Sequence, residues 1–259
     1  MRPEILFPLF AEVTSLPGIG GRTGGHLARL GITRVADLLW HCPASVVDRG
    51  FAPRLAEAPD GVIATLTVTV GRHDPAPPQS RRPYRVRCHD DSGEIDLIFF
   101  RGNRDYIREM LPEGEVRIVS GKVEHFQDRL QMSHPDHILR PHDRDRLPAL
   151  EPQYPLTAGL SGRMLHKAIL AALPSVPDLP EWLDPPYLAQ ERWPAWKEAV
   201  ATVHNPQDPG DVLAGAPARM RLAYDELLAN QLALALVRQR QRRRKGRVLD
   251  GDGHLRAPV

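Results

Sequence analysis

The sequence predicts an α+β protein built of more than one unit. Two observations carry this. Hydrophobic periodicity changes from helical to alternating and back along the chain, and 26 prolines against 20 glycines with only 6% aromatic residues mark compact pieces joined by stiff connectors. At 259 residues and 42% hydrophobic, the chain can bury one large or two modest cores. Three stretches are expected: a helical hairpin region over residues 1–50, a small β-barrel over 51–142, and a helical linker over 143–259 that ends in a long helix.

Residues 16–32, LPGIGGRTGGHLARLGI, hold six glycines. A dinucleotide loop would require a strand before them and a third glycine where Thr23 stands; a Walker loop would require Lys-Ser or Lys-Thr after the last glycine. Neither pattern is met. The preceding LFPLFAEVTSL reads as a helix with Leu6, Leu9, Phe10 and Val13 on one face, and a second helix carries His26, Leu27, Ala28 and Leu30 before Gly31 stops it. This is a helix-hairpin-helix-like pattern. Gly18 and Gly20 allow close approach, and the free N–H groups opening the second helix, next to Arg22, point toward a nucleic-acid phosphate. The alternative is a hairpin whose glycines only let two helices pack closely. Thr33 then caps a third helix, TRVADLLWH, buried through Val35, Leu38 and Leu39.

From residue 62 the period becomes two. VIATLTVTV, YRVRCHD and EIDLIFF read as strands, the last two joined across Asp-Ser-Gly as a hairpin. A helix from Asn103 to Leu111 follows, then EVRIVSGKVEHF and RLQMSHPDHIL return to strands. Three strands, a helix and two strands is the order of the five-stranded OB barrel, a fold that commonly binds oligonucleotides. Arg85 and Arg87 share one strand face, either to track phosphate or to pair with Asp90, Asp91, Glu94 or Asp96. Phe99 and Phe100 are adjacent, so one faces the core and the other the opposite side, where a ring suits base stacking.

Beyond Pro141, Ser161 caps a helix to about Leu173, a connector rich in proline and tryptophan holds a short helix near 194–203, and a long helix runs from about Ala216 to Arg244. Its stripe of Leu222, Leu228, Leu232 and Leu236 needs something to pack on. The net charge of +2 hides an asymmetry. RQRQRRRKGR, Arg238 to Arg247, has no acid, and the remainder of the chain is net acidic. Arg242, Arg243, Arg244 and Lys245 are its densest part, suited to a polyanion or simply to a solvated helix end.

No run approaches the ~18 apolar residues of a membrane span, and MRPEILFPLF lacks the plan of a signal peptide, so a cytoplasmic protein without a membrane partner is expected. Cys42 and Cys88 are too few for a disulfide framework or a zinc cluster and read as ordinary thiols. No metal site is expected, since His134, Asp136 and His137 lack a third ligand cluster. No catalytic residue is assigned: the carboxylates at the hairpin tip are turn formers, and Ser161 lacks the frame of a nucleophile elbow.

Four ordered motifs carry a family resemblance: LPGIGGRTGGHLARLGITRVADLLWHCP, VVDR at Val46 to Arg49, YPLTAGLS at Tyr154 to Ser161, and ARMRLAYDELLANQLAL at Ala218 to Leu234. With GKVEHFQDRLQMSHPD at Gly121 to Asp136, the chain resembles the N-terminal region of the bacterial RecG family of ATP-dependent DNA helicases. The resemblance implies that residues 51–142 are a wedge domain, an OB barrel gripping branched DNA at stalled forks and four-way junctions in recombination and repair. It implies stacking roles for Phe100 and Tyr106; Arg101 and Arg104 beside them join the glycine hairpin, the strand arginines and the basic run as expected phosphate contacts. It implies helicase motor domains C-terminal to this segment, with ATP and Mg2+ as cofactors of the full-length protein and none in this chain, which reaches Val259 before any Walker motif. A single-stranded-DNA-binding protein is a further candidate partner. Two departures stand out: Val46 replaces a frequent aromatic, and RGNRD lengthens the spacer between Phe100 and Tyr106, so the role of Phe100 carries over more directly. The rival reading is a stand-alone OB protein that coats single strands, or a protein-interaction module.

Overall fold

The computed structural model describes residues 3–75, 82–100, 102–127 and 129–242. Eight helices and eight strands among them are used below: α1 Phe7–Phe10, α2 Gly21–Arg29, α3 Val35–Trp40, β1 Ser45–Asp48, β2 Ile63–Asp74, β3 Tyr84–His89, β4 Glu94–Phe99, α4 Arg104–Met110, β5 Val116–Phe126, β6 Arg129–Ser133, β7 His137–Leu139, β8 Leu150–Gln153, α5 Gly162–Ala172, α6 Pro185–Glu191, α7 Trp196–His204 and α8 Pro217–Arg242.

Strands β2 to β6 make the barrel. β2 pairs antiparallel with β3, β3 with β4, β4 parallel with β6, β6 antiparallel with β5, and β5 returns to β2, so the circuit closes and β7 adds beside β5. That is the OB order. The lone parallel pair arises because α4 intervenes between β4 and β5 and the final strand must slot between them. Leu66, Val68, Val86, Cys88, Ile95, Leu97, Val119, Val123 and Met132 fill the interior, joined by Ile107 of α4 and Leu111 just past it. Cys88 is a free buried thiol, its pKa pushed up to about 12 by desolvation.

A second core lies outside the barrel and draws on both ends of the sequence. Leu9, Val13, Leu27, Val35, Leu38 and Leu39 from the first 40 residues pack with Leu165, Ile169, Ala199, Val200, Val203 and Leu222 from beyond residue 160. Each fully buried aliphatic contributes about 1.5–3 kcal/mol. His204 is buried among them; its Nε2–H donates to the Leu39 carbonyl at 2.7 Å and its Nδ1 accepts from the Tyr154 hydroxyl at 3.1 Å. Burial holds this imidazole down at about 4.

Several expectations change. The run RLQMSHPDHIL is not one strand: β6 ends at Ser133 and β7 begins at His137, with His134 at φ 47° and Pro135 between them. The first helix is not continuous: α1 ends at Phe10 because Ala11 and Glu12 are extended, and a separate 3-10 turn covers Val13–Ser15. Extended Ala11 instead accepts the Val35 N–H through its carbonyl, tying the N-terminus to α3. Thr33 does not cap α3; Arg34 is the N-cap, and the Asp37 carboxylate reaches back to the Thr33 and Arg34 N–H groups. Nor is the leucine stripe of α8 covered along its length. Leu222 is buried and Leu228 half-buried, but Leu232 and Leu236 are 56% and 60% exposed.

What α8 does bury is its first two turns, around a charge. Arg221 is fully buried, held by Glu181 at 2.9 Å and Asp225 at 2.8 Å, with its guanidinium 5.1 Å from the Trp182 ring centre. Trp182 in turn donates from Nε1 to Asp225 at 2.8 Å. The arginine therefore clamps the proline-rich connector onto the long helix.

A two-stranded antiparallel ribbon, β1 with β8, joins the two cores. Arg49, just past β1, is buried and reaches Glu151, the Ser120 hydroxyl at 3.0 Å and Asp136 at 3.0 Å. Thr65 donates to the Arg49 carbonyl at 2.8 Å. This polar joint explains why Ala64, Thr65 and Leu66 are all buried, where the sequence reads as a half-buried strand: the outer face of β2 is covered there as well.

Candidate nucleic-acid interface

The end of β4 positions the candidate stacking residues. Phe99 is half-buried and packs on the barrel core, whereas Phe100 is 63% exposed, so the alternation expected of adjacent residues puts Phe100 outward. The backbone N–H of Phe100 donates to Nε2 of His134 at 3.1 Å. The His134 ring also lies 6.0 Å from Phe99 and 5.8 Å from Phe100, centre to centre. Gly102 then takes φ 154°, a conformation that other residues rarely adopt, and Asn103 caps α4 by accepting the Asp105 N–H. Tyr106 stands in the first turn of α4, 59% exposed. Phe100, just past β4, and Tyr106, in the first turn of α4, are thus both presented to solvent.

The strand arginines share a face. Arg72, Asp74, Arg85, Arg87 and Asp96 line a cleft of about 130 Å³ on the outside of β2, β3 and β4. Arg87 lies 3.6 Å from Asp96 and 3.8 Å from Glu94, so cross-strand pairing occupies it; Asp96 also attracts Arg129 at 3.8 Å. Arg85 is exposed, opposite Ile98 of β4 and Asp74 of β2. Arg72 escaped the sequence reading. The only signal for it was its place beside the irregularity between Val70 and His73, where the register with β3 shifts.

Gly18 and Gly20, in the turn before α2, and Arg22, in its first turn, are exposed at the other core. Gly18 has φ 80° and so requires glycine, while Gly20 is extended and serves as an N-cap without a side chain. The N–H groups that open α2 consequently have no side-chain cap. The glycines also serve packing, the alternative the sequence left open: a Cβ on Gly24 would come within 2.7 Å of the Thr14 methyl.

Arg104 is exposed on α4 and engaged in an interaction of its own, and Arg242 ends α8 exposed. Arg101, Arg243, Arg244 and Lys245 lie outside the described residues. The structure brings Arg85 and Arg87 into one cleft, puts Phe100 and Tyr106 on one segment, and leaves the glycine hairpin and Arg242 on other elements.

His134 and His137, weighed above as metal ligands, have separate partners. His137 donates from Nε2 to Glu151 at 3.1 Å and accepts from Arg163 at 3.0 Å, inside the joint. No group of three or more potential ligands occurs among the described residues. No helix among them is long and apolar enough to cross a membrane.

A further surface is apolar. Leu6, Phe10, Trp40, Trp196, Leu228 and Leu232, with their neighbours, enclose a groove of about 1010 Å³ between the N-terminal helices and α8.

Comparison with known proteins agrees with the barrel and the motifs. The family model for an OB-fold nucleic acid binding domain matches residues 79–139. The ATP-dependent DNA helicase RecG of Pasteurella multocida is 28% identical over 251 residues, covering 87% of this chain and 33% of that protein. RecG of Escherichia coli K12 is 28% identical over 258 residues, covering 94% and 36%. A solved structure of RecG bound to a three-way DNA junction superposes with a TM-score of 0.69 at 24% identity, over 96% of this chain and 34% of that one. The chain spans about a third of the length of the curated relatives it matches. In sequence and in fold, it is the N-terminal region of RecG that this chain resembles.

Proposed function

We propose that this chain is the branched-DNA-binding wedge region of a RecG-type helicase that remodels stalled forks and Holliday junctions. The observation that carries the reading is Phe100: a large aromatic ring, 63% exposed, held at the edge of an OB barrel. Aromatic rings on such barrels stack on bases, and a fixed ring at a branch point blocks re-stacking of the separated pair. The RecG structure that it resembles is bound to a three-way junction.

In this reading, motor domains that use ATP and Mg2+ draw duplex toward the barrel, and Phe100 and Tyr106 convert that translocation into strand separation. Arg72 and Arg85 track the backbone of one displaced strand. The apolar groove beside α8 favours protein contact as well, either with such motor domains or with a single-strand-binding protein. Competition among forked, duplex and single-stranded DNA tests the proposal. Preference for the fork supports a wedge, and preference for single strands supports a coating protein.

A further inference from the structure

We infer that His134 is the positioning residue of the Phe100 wedge ring, acting as a hydrogen-bond acceptor for the Phe100 backbone. The inference rests on the wedge reading for its function but not for its geometry.

The parallel ladder between β4 and β6 runs from Ile95 opposite Leu130 to Ile98 opposite Ser133 and stops there. It stops because His134 adopts a left-handed backbone, φ 47°, and Pro135 follows. The His134 N–H still donates to the Ile98 carbonyl at 2.8 Å. Past that point β6 has turned away, and Phe100 needs another acceptor for its N–H. The imidazole supplies it, Nε2 accepting at 3.1 Å. Two bonds therefore tie the end of β4 to one residue, one through its backbone and one through its ring.

The consequence concerns the side chain that points outward. Phe100 is 63% exposed, so little packing fixes it from the solvent side, and Gly102 two residues on has a backbone at φ 154°. An untethered backbone there would let the ring swing, and an aromatic wedge works only if its ring is already in place when bases arrive. His134 holds the backbone and sets its own ring 5.8 Å from that of Phe100 at a 34° tilt, limiting the rotation open to it. Acceptance at Nε2 requires the neutral imidazole to carry its proton on Nδ1.

Two substitutions separate the acceptor from the backbone. His134→Leu and His134→Gln both place an unfavourable side chain at a left-handed position, but only glutamine offers an oxygen near the place of Nε2. In the DNA-free protein, nitrogen-detected NMR should show His134 as the Nδ1–H tautomer. Exchange of the Phe100 amide should be slow in the parent chain, faster in His134→Leu and slow again in His134→Gln. With DNA, His134→Leu should lower the fork-over-duplex preference by about fivefold or more, the lower end of what losing one stacked base costs. Glutamine should restore it to within about twofold, and duplex binding should not change.

An Nε2–H tautomer, or an unprotected Phe100 amide in the parent chain, overturns the inference. So does a leucine variant that frees the amide yet keeps its fork preference while Phe100→Ala loses it. If Phe100→Ala itself leaves the preference intact, the wedge reading fails, and the tautomer and exchange results still decide whether His134 holds the strand end.

Discussion

Arg49 and Glu151 form a buried ion pair, the arginine side chain 3% and the glutamate 14% exposed, at the joint between the barrel and the helical core. Burial alone would raise the Glu151 pKa. The His137 N–H and the Arg49 guanidinium outweigh it and hold the carboxyl at about 2. Removing Arg49 strands that carboxylate. Arg49→Ala should cost about 3–5 kcal/mol in urea unfolding, and Arg49→Met combined with Glu151→Leu should recover much of the loss. A cost under about 1 kcal/mol would show that the joint does not hold the cores together.

Glu151 and His204 contribute to the acid limb of stability, alongside His166 and the carboxylates Asp37, Asp90 and Glu181, which are also held below their ordinary values. A carboxyl lowered to about 2 contributes stability that is complete above its ordinary value of 4.5 and is lost as pH falls toward 2. A histidine lowered to about 4 binds its proton more readily when unfolded, so its contribution is complete above 6.5 and is lost between 6.5 and 4. Stability should therefore begin to fall below about pH 6.5, before the carboxylates titrate. His204→Gln should flatten the upper part of that limb, as read from urea midpoints across pH.

Gly18 and Gly20 should separate on substitution. Alanine at Gly18 must adopt φ 80° and should cost about 1 kcal/mol, whereas Gly20 is extended with open space around its Cβ position. Gly20→Ser should keep or raise stability by capping α2, and should weaken DNA binding if the uncapped N–H groups contact phosphate. Thermal melts and a binding titration distinguish the two effects.

Arg85 and Arg87 should also differ. Arg85→Ala is expected to weaken binding to fork and duplex alike and to lower the log–log salt slope by about one, as loss of one phosphate contact does. Arg87, already near Glu94 and Asp96, should show less. Equal effects would mean that DNA displaces the acidic partners.

Much of this was legible in the sequence because it is local. The strand–helix–strand order, the Ser161 cap and the start of α8 follow from periodicity and capping chemistry within a few residues; the expected end of α8 at about Arg244 lies outside the described residues. The ribbon was not legible. β1 has four residues and its partner β8, about a hundred positions later, contains Pro152, so neither carries a strand signal of its own. Helix α6 opens on Pro185 and Pro186, which read as connector although proline suits a first helical turn. Alternation said only that Phe99 and Phe100 face opposite sides; the family resemblance singled out Phe100, which is the exposed one. Its partner His134 was missed because the bond that joins them crosses a parallel pair; in the sequence it was weighed only with His137 as a metal ligand, and set aside.

In the wedge reading an exposed ring on the barrel, rather than general basicity, gives the chain its choice of DNA. The ratio of fork to duplex affinity, at matched length and salt, for the parent chain and Phe100→Ala decides this. Expected are tighter binding to the fork, a loss of about 1–3 kcal/mol of fork affinity in the variant with duplex affinity unchanged, and a thermal midpoint that stays put because the ring is not core. Equal affinity for fork and duplex in the parent chain, or a variant that keeps its preference, would contradict it.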